Sequence, residues 1–295
     1  MKIMDKEPKL HEVLHRASLF LEENNREAKV AELLLQYYLG VSRSKFFMMM
    51  RDPVPEDVIN QFNRAVTEHA KTGMPLEHMT GYACFYSRRF QVNGHTLIPR
   101  PETEELIQHI VETVSDEPHT IVDIGTGSGI IAVTLALELP NAVVYATDIS
   151  PDALEIAGQN AERLGAHVIF LEGDYVEPLI EHHIQADIIV SNPPYIAPAE
   201  KTELSDTVKN FEPEQALFAD NNGLASYKAI ISRLPETLKQ DGFCFFEIGH
   251  QQGKDVQSLL QTAFPEMDVA IIKDMNGKDR IISGTRGQTP CPTKN

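Results

Sequence analysis

Thr120-Ile121-Val122-Asp123-Ile124-Gly125-Thr126-Gly127-Ser128-Gly129 is the stretch on which the fold turns. Ile121, Val122 and Ile124 form a short β-branched run, which reads as a buried strand. It runs into three glycines separated by single residues, and the apolar Ile130-Ile131-Ala132-Val133 follows as the start of a helix. Glycine lets the chain turn sharply and lets backbone approach a ligand closely. The N-terminus of the following helix offers unpaired N–H groups beside it. The spacing is GxGxG rather than the GxGxxG of a dinucleotide site, and the Lys-Ser/Thr pair of a P-loop is missing.

Outward from this loop, apolar runs recur at 142–147, 168–171, 187–191 and 243–248, with helical stretches between the first runs and a longer one, 224–238, before the last. Ser150 as N-cap, Pro151 at the first helical position and Gly165 at the end mark one helix closely. Such alternation predicts a parallel sheet with helices on both faces. Two further strands, around 268–273 and 280–285, flank the turn Asn276-Gly277, and a tight hairpin there makes the last strand antiparallel. The expectation is an α/β fold with a mostly parallel seven-stranded sheet over residues 102–295.

Residues 1–81 show only helical periodicity. Leu10, Val13, Leu14, Ala17 and Leu21 share one face, as do Val30, Leu33, Leu34 and Tyr37, closed by Gly40. Ser42 caps a short helix, and Pro55 opens another carrying Val58, Ile59, Phe62, Ala65 and Val66 that stops near Gly73. Together they predict a bundle of about five helices. The linker 82–101 reads as a β-hairpin around Asn93-Gly94. The run from Phe46 through Met50 is expected to lie mostly in the bundle core, and His182-His183 in a surface loop.

Bulk properties narrow the function. The net charge is −17, and no basic block stands against it. Affinity for nucleic acid draws largely on Lys and Arg neutralising phosphates, so a protein partner is favoured over a duplex. No membrane span and no signal peptide are expected. The odd and scattered Cys84, Cys244 and Cys291 imply reduced thiols in a cytoplasmic protein rather than a disulfide frame or a metal site.

Asp148 ends the second strand of the α/β region, where a carboxylate can accept hydrogen bonds from both hydroxyls of a ribose. The third strand ends in Gly173-Asp174-Tyr175 and the fourth in Asn192-Pro193-Pro194-Tyr195. Ligands in open α/β sheets bind beyond the carboxyl ends of the strands, so these residues should meet at one site. Two prolines remove two amide donors and leave carbonyl acceptors beside the Asn192 amide oxygen. A planar –NH2 group has two protons to be held and a lone pair tied up in conjugation. Acceptors from Asn192 and Pro193 would hold the protons while Tyr195 stacks on the plane, leaving the pyramidalising nitrogen free to attack in line. A strong base is unnecessary, because alkylation makes the nitrogen far more acidic.

With Asp123 ahead of it, the glycine loop resembles motif I of class I methyltransferases, which bind S-adenosylmethionine. The tetrapeptide is similar to that shared by adenine-N6, cytosine-N4 and glutamine-N5 methyltransferases. The wider sequence resembles the peptide chain release factor N5-glutamine methyltransferases. The likeness is carried by Ile98-Pro99-Arg100-Pro101-Glu102-Thr103-Glu104, by Phe211-Glu212-Pro213 with Ala216-Leu217, and by the segment from Glu247 to Gly253. That resemblance implies a Rossmann-like class I fold. It implies S-adenosylmethionine as cofactor, S-adenosylhomocysteine as product, and the glutamine of a Gly-Gly-Gln motif in a class 1 release factor as substrate, with consequences for translation termination. It assigns Gly125, Thr126, Gly127, Ser128, Gly129, Asp148, Asp174, Tyr175 and Asn192 to the cofactor, with Tyr175 a modest departure at its position. Asn192, Pro193, Pro194 and Tyr195 are assigned to the glutamine, and residues 1–81 to substrate recognition.

Arg100 and Glu102 fit either the entry to the site or an interdomain salt bridge, and a structural hydrogen bond is expected of Glu247. Two rival functions stand beside this one. An adenine-N6 nucleic-acid methyltransferase would need a basic groove for a flipped base. A non-catalytic S-adenosylmethionine-binding module would be expected to have lost one of the three motifs.

Overall fold

The computed structural model describes residues 8–115 and 117–287, so Cys291 lies outside the described residues. They divide into two compact units. One comprises residues up to Gly81 together with Ser205–Phe211; the other comprises Tyr82–Leu204 and the residues from Glu212 on. Among the described residues no helix is long and apolar enough to cross a membrane.

The first unit holds five helices in sequence: α1 (Leu10–Glu23), α2 (Lys29–Leu39), α3 (Arg43–Met48), α4 (Glu56–Thr72) and α5 (Leu76–Thr80). The periodic faces of α1 and α4 meet in one core, with Leu10, Leu21, Leu34, Leu35, Phe46 and Phe62 fully buried. On α2 the face is turned from the one expected: Ala31, Leu34 and Leu35 are buried, whereas Leu33 and Tyr37 are exposed. Ser42 caps α3 by accepting the Lys45 amide. The run from Phe46 is divided: Phe46 is buried and Met49 and Met50 pack against the core, whereas Phe47 and Met48 face solvent. A sixth helix, Asp206–Phe211, joins this unit from far along the chain. Arg26 holds it with a two-pronged pair, Nη1 to Asp206 Oδ1 at 2.8 Å and Nη2 to Oδ2 at 2.7 Å. The guanidinium keeps the Asp206 carboxyl below its usual range.

The second unit opens with an antiparallel hairpin, β1 (Tyr82–Phe85) and β2 (Arg88–Gln91). Its turn is Tyr86-Ser87, not Asn93-Gly94 as the dipeptide suggests. Both turn residues take positive φ, 47° and 60°. Tertiary contacts hold this conformation: the Tyr86 amide donates to Glu104 Oε1 at 2.7 Å, and Phe85 and Phe90 are buried on either side. Asn93 instead starts a separate turn, accepting the Thr96 amide at its carbonyl and the His95 amide at its side chain.

Helix α6 (Pro101–Thr113) then leads into the sheet strands β3 (Thr120–Ile124), β4 (Val143–Asp148), β5 (Val168–Glu172), β6 (Ala186–Ser191), β7 (Leu238–Glu247), β8 (Asp268–Lys273) and β9 (Asp279–Thr285). Their order is β5-β4-β3-β6-β7-β9-β8, and only β9 runs opposite to the other six. Alternate residues of each strand feed the two faces. Ile188, Val190 and Phe245 enter one core; Ile189, Cys244 and Phe246 enter the other. Helix α7 (Ile130–Glu138) follows β3, and α8 (Pro151–Leu164) follows β4, with Ser150 capping it as its sequence predicts. Strand order reverses between β3 and β6, the switch point at which open α/β sheets bind ligands.

Candidate active site

A cleft of about 330 Å³ opens at this switch point, within the size range of small-molecule sites. Gly125, Thr126, Gly127 and Ser128 after β3, Asp148 at the end of β4, Asp174 and Tyr175 after β5, and Asn192 and Pro194 after β6 all line it. Gly129, Pro193 and Tyr195 do not. Gly129 instead sits where α7 crosses α8, and a Cβ there would lie 3.0 Å from Ala157 Cβ.

The glycine loop is held from below. The Gly125 and Thr126 amides both donate to the Thr147 carbonyl, and the Thr126 hydroxyl donates to Asp123 Oδ2 at 2.6 Å. Gly125 and Gly127 have φ of 72° and 55°, and a Cβ on either would meet nothing within 4 Å. Their bare α-carbons therefore leave room beside the loop for a ligand. Asp148 is fixed to the loop by the Gly127 amide at 2.8 Å and to α8 by the Ser150 amide at 2.9 Å. Its pKa is raised, foremost by burial, against these backbone bonds.

Asp123 is wholly buried, its Oδ1 has no partner among the described residues, and burial pushes its pKa up to about 7. The native state then binds a proton that the unfolded chain releases near pH 4, so stability falls as pH rises between these values. Asp123→Asn keeps an acceptor for Thr126 and the Ala132 amide while removing the charge. It is expected to raise unfolding free energy by roughly 2–4 kcal/mol at pH 8. Urea melts at pH 8 and at pH 4 check this; the gain should shrink towards the lower pH.

Two segments flagged by sequence fasten one wall of the cleft. Glu212, nearly inaccessible, accepts from Arg100 Nη2 at 2.6 Å and from the Ile98 amide at 3.3 Å. His95, Thr96 and Leu97 line the cleft on one side of this clasp, and Gln215, Ala216 and Phe218 on the other. The partner of Arg100 thus lies in its own unit. Asn160 on α8 makes a second stitch, taking the Gln91 amide and giving to the Gln91 and Ser128 carbonyls.

Past Asn192 the backbone is clamped. Gln252 Nε2 donates to the Tyr195 carbonyl at 3.0 Å and to the Asn222 carbonyl at 3.3 Å, while its Oε1 accepts the Gly249 amide. Asn221, Asn222 and Gly223 are all left-handed, and a Cβ on Gly223 would fall 2.0 Å from the Tyr195 oxygen. Tyr195 packs against the core beside β7, and burial pushes its hydroxyl up to about 12. It is therefore neutral near pH 7 and cannot act as a base there. Tyr175 turns its hydroxyl to Ser226 Oγ at 2.9 Å. Asn192 Oδ1 has no protein partner among the described residues. Its Nδ2 approaches the Thr103 hydroxyl oxygen at 3.4 Å, and that hydroxyl donates to the buried Glu247 at 2.7 Å. Glu247 thus makes the expected hydrogen bond. Thr103, Asn160, Gly223 and Gln252 are supporting residues for which sequence assigned no part in the site.

Comparison with known proteins gives the family. The methyltransferase small domain matches residues 101–213, and the PrmC N-terminal domain matches residues 12–81. The release factor glutamine methyltransferase of Bacillus subtilis is 46% identical over 278 residues, covering 92% of this chain and 96% of that one. The enzyme of the same name from Staphylococcus aureus is 42% identical, covering 93% and 97%. Among solved structures, a methyltransferase from Pyrococcus furiosus shares the fold, with a TM-score of 0.50 at 16% identity over 77% of this chain and 98% of that one. With relatives this similar along nearly its whole length, the chain belongs to the release factor glutamine methyltransferase family.

Proposed function

We propose that this chain transfers the methyl group of S-adenosylmethionine to the N5 amide nitrogen of the glutamine in the Gly-Gly-Gln motif of a class 1 peptide chain release factor, and so modulates translation termination. The observation that carries the reading is the Asn192 amide, its oxygen without a partner among the described residues, opening into the same cleft as the glycine loop and Asp148. Family membership supplies the substrate. The helical unit is the part of the chain we assign to recognising it.

The residues present fit the cofactor. The empty space beside Gly125 and Gly127 suits a close ligand, and Asp148 keeps lone pairs free on both oxygens after accepting two amides. Residues 125–128, Asp148, Asp174 and Tyr175, all in the cleft lining, would hold it. When bound, it supplies a methyl group made electrophilic by a sulfonium.

The chain's own contribution is orientation. Asn192 Oδ1, in the cleft lining, accepts one N–H of the substrate amide and turns the nitrogen towards the reacting centre. The Pro193 carbonyl and Tyr195, which follow Asn192 in the chain but lie outside that lining, are assigned the second N–H and the substrate plane. The Tyr195 hydroxyl is neutral and withdraws no proton, so the proton of the alkylated nitrogen passes to solvent. Rate enhancement then comes from positioning and fixed dipoles. The excess of acidic residues suits a basic protein surface more than a nucleic acid.

The test offers methyl-labelled S-adenosylmethionine with purified release factor, with the same factor carrying Gln→Ala in its Gly-Gly-Gln motif, and with DNA. Label on the intact factor alone is expected. Label on DNA, or equal label on both forms of the factor, would sink the substrate assignment. Asp148→Ala should weaken cofactor binding by at least ~10-fold in calorimetry, since it loses charged hydrogen bonds and loosens the loop at Gly127. An unchanged affinity would remove Asp148 from the site.

A further inference from the structure

An asparagine amide has two ends of nearly the same shape and opposite hydrogen-bonding sense. Only one orientation serves the reaction proposed above, because an –NH2 turned to the substrate –NH2 sets donor against donor. Something in the protein must therefore distinguish the two ends of Asn192. Thr103, in the first turn of α6, is fully buried and touches both Asn192 and Glu247. A hydroxyl carries one proton. With Glu247 ionised that proton is committed to its Oε2 at 2.7 Å, so Thr103 offers Asn192 only lone pairs.

We propose that Thr103, its proton held by Glu247, is a positioning residue that fixes the polarity of the Asn192 amide, turning the –NH2 inward and the oxygen to the substrate. The inference rests on the reading of Asn192 as an acceptor for the substrate amide.

Glu247 is suited to set the direction of this chain. It ends β7, and its main-chain carbonyl is anchored by the Tyr227 hydroxyl at 2.7 Å. Burial, the largest effect, pushes its carboxyl up to about 7; the Thr103 bond, Arg280 and Arg100 oppose this and Glu102 adds to it. The groups facing it are thus Thr103, Arg100 and Glu102 around the start of α6, Arg280 on β9, Tyr195 after β6, and Tyr227. Protonated, Glu247 becomes a donor to Thr103. The Thr103 proton is then free to point at Asn192, and the preferred sense of the amide reverses. Activity should fall on the acid side as pH drops through about 7.

The test measures kcat, cofactor Kd and the pH profile between pH 5.5 and pH 8.5, each at about half-unit steps, for wild type, Thr103→Val, Thr103→Ser, Glu247→Gln and Asn192→Ala. Thr103→Val places a methyl against the inward –NH2 and leaves it unsatisfied. It should lower kcat about tenfold or more with cofactor Kd unchanged, and Thr103→Ser should restore most of the rate. Glu247→Gln cannot gain a proton and should lose the acid limb. Full kcat in Thr103→Val, or an acid limb that survives in Glu247→Gln, overturns the proposal even where Asn192→Ala is inactive. Should Thr103→Val fail to fold, the Glu247→Gln profile decides alone. Full activity in Asn192→Ala would instead overturn the reading of Asn192, and the relay with it.

Discussion

Asn192→Ala is expected to lower the rate of methyl transfer by roughly 10²- to 10³-fold while leaving cofactor affinity within about threefold. The asymmetry follows from what the side chain touches. Among the described residues Asn192 Oδ1 makes no bond and its Nδ2 makes only a long one, so truncation removes little that holds the fold. The glycine loop and Asp148 are anchored through Thr147, Asp123 and Ser150, none of which depends on Asn192. What is lost is one of two acceptors that hold a substrate –NH2 in the attacking geometry. Single-turnover transfer with both substrates saturating separates this loss from binding. A variant that transfers at the wild-type rate would show that Pro193 and its neighbours suffice.

Gly223→Ala should do comparable damage from outside the cleft. At φ +78° a side chain is strained, and the added Cβ would sit 2.0 Å from the Tyr195 carbonyl oxygen and 2.6 Å from Gln252 Nε2. The nearest obstacle is backbone, which cannot swing aside as a side-chain end can. Relief requires moving the chain after Asn192, breaking the Gln252 clamp, or both. A misplacement of about 1 Å at a reacting centre costs on the order of 10²-fold in rate, and the strain should cost more than about 2 kcal/mol of stability. Thermal melts, cofactor calorimetry and transfer rates on the same preparation check this. A folded variant with wild-type kcat would mean that the backbone between Asn192 and Tyr195 tolerates displacement.

The α/β core was legible because its signals are local and redundant. Ile121, Val122 and Ile124 read as a strand, the three glycines as a turn, and Ser150-Pro151 as a helix start, and each is borne out where it stands. The hairpin turn was misread for the opposite reason. Tyr86 and Ser87 have no intrinsic preference for positive φ, and the bond from Tyr86 to Glu104 and the burial of Phe85 and Phe90 override local turn chemistry. The Glu104 partner is eighteen residues away in sequence, beyond the reach of any dipeptide rule. The supporting residues divide in the same way. Asn221-Asn222-Gly223 did carry a signal, since asparagine and glycine are the residues that tolerate the left-handed region. The roles of Thr103, Asn160 and Gln252 carried none, because each depends on a partner brought near only by the fold.

The helix Asp206–Phe211 gives the N-terminal unit a discontinuous genealogy in the chain. A fragment cut at Gly81 would omit Asp206 and leave the Arg26 guanidinium without its carboxylate. A fragment beginning at Tyr82 would carry that helix with no unit to join. Neither cut divides the protein at a natural seam. Exchanging the helical unit between relatives would therefore require transplanting two separate stretches of sequence together, and a swap of the leading segment alone would inherit a mismatched piece of its neighbour.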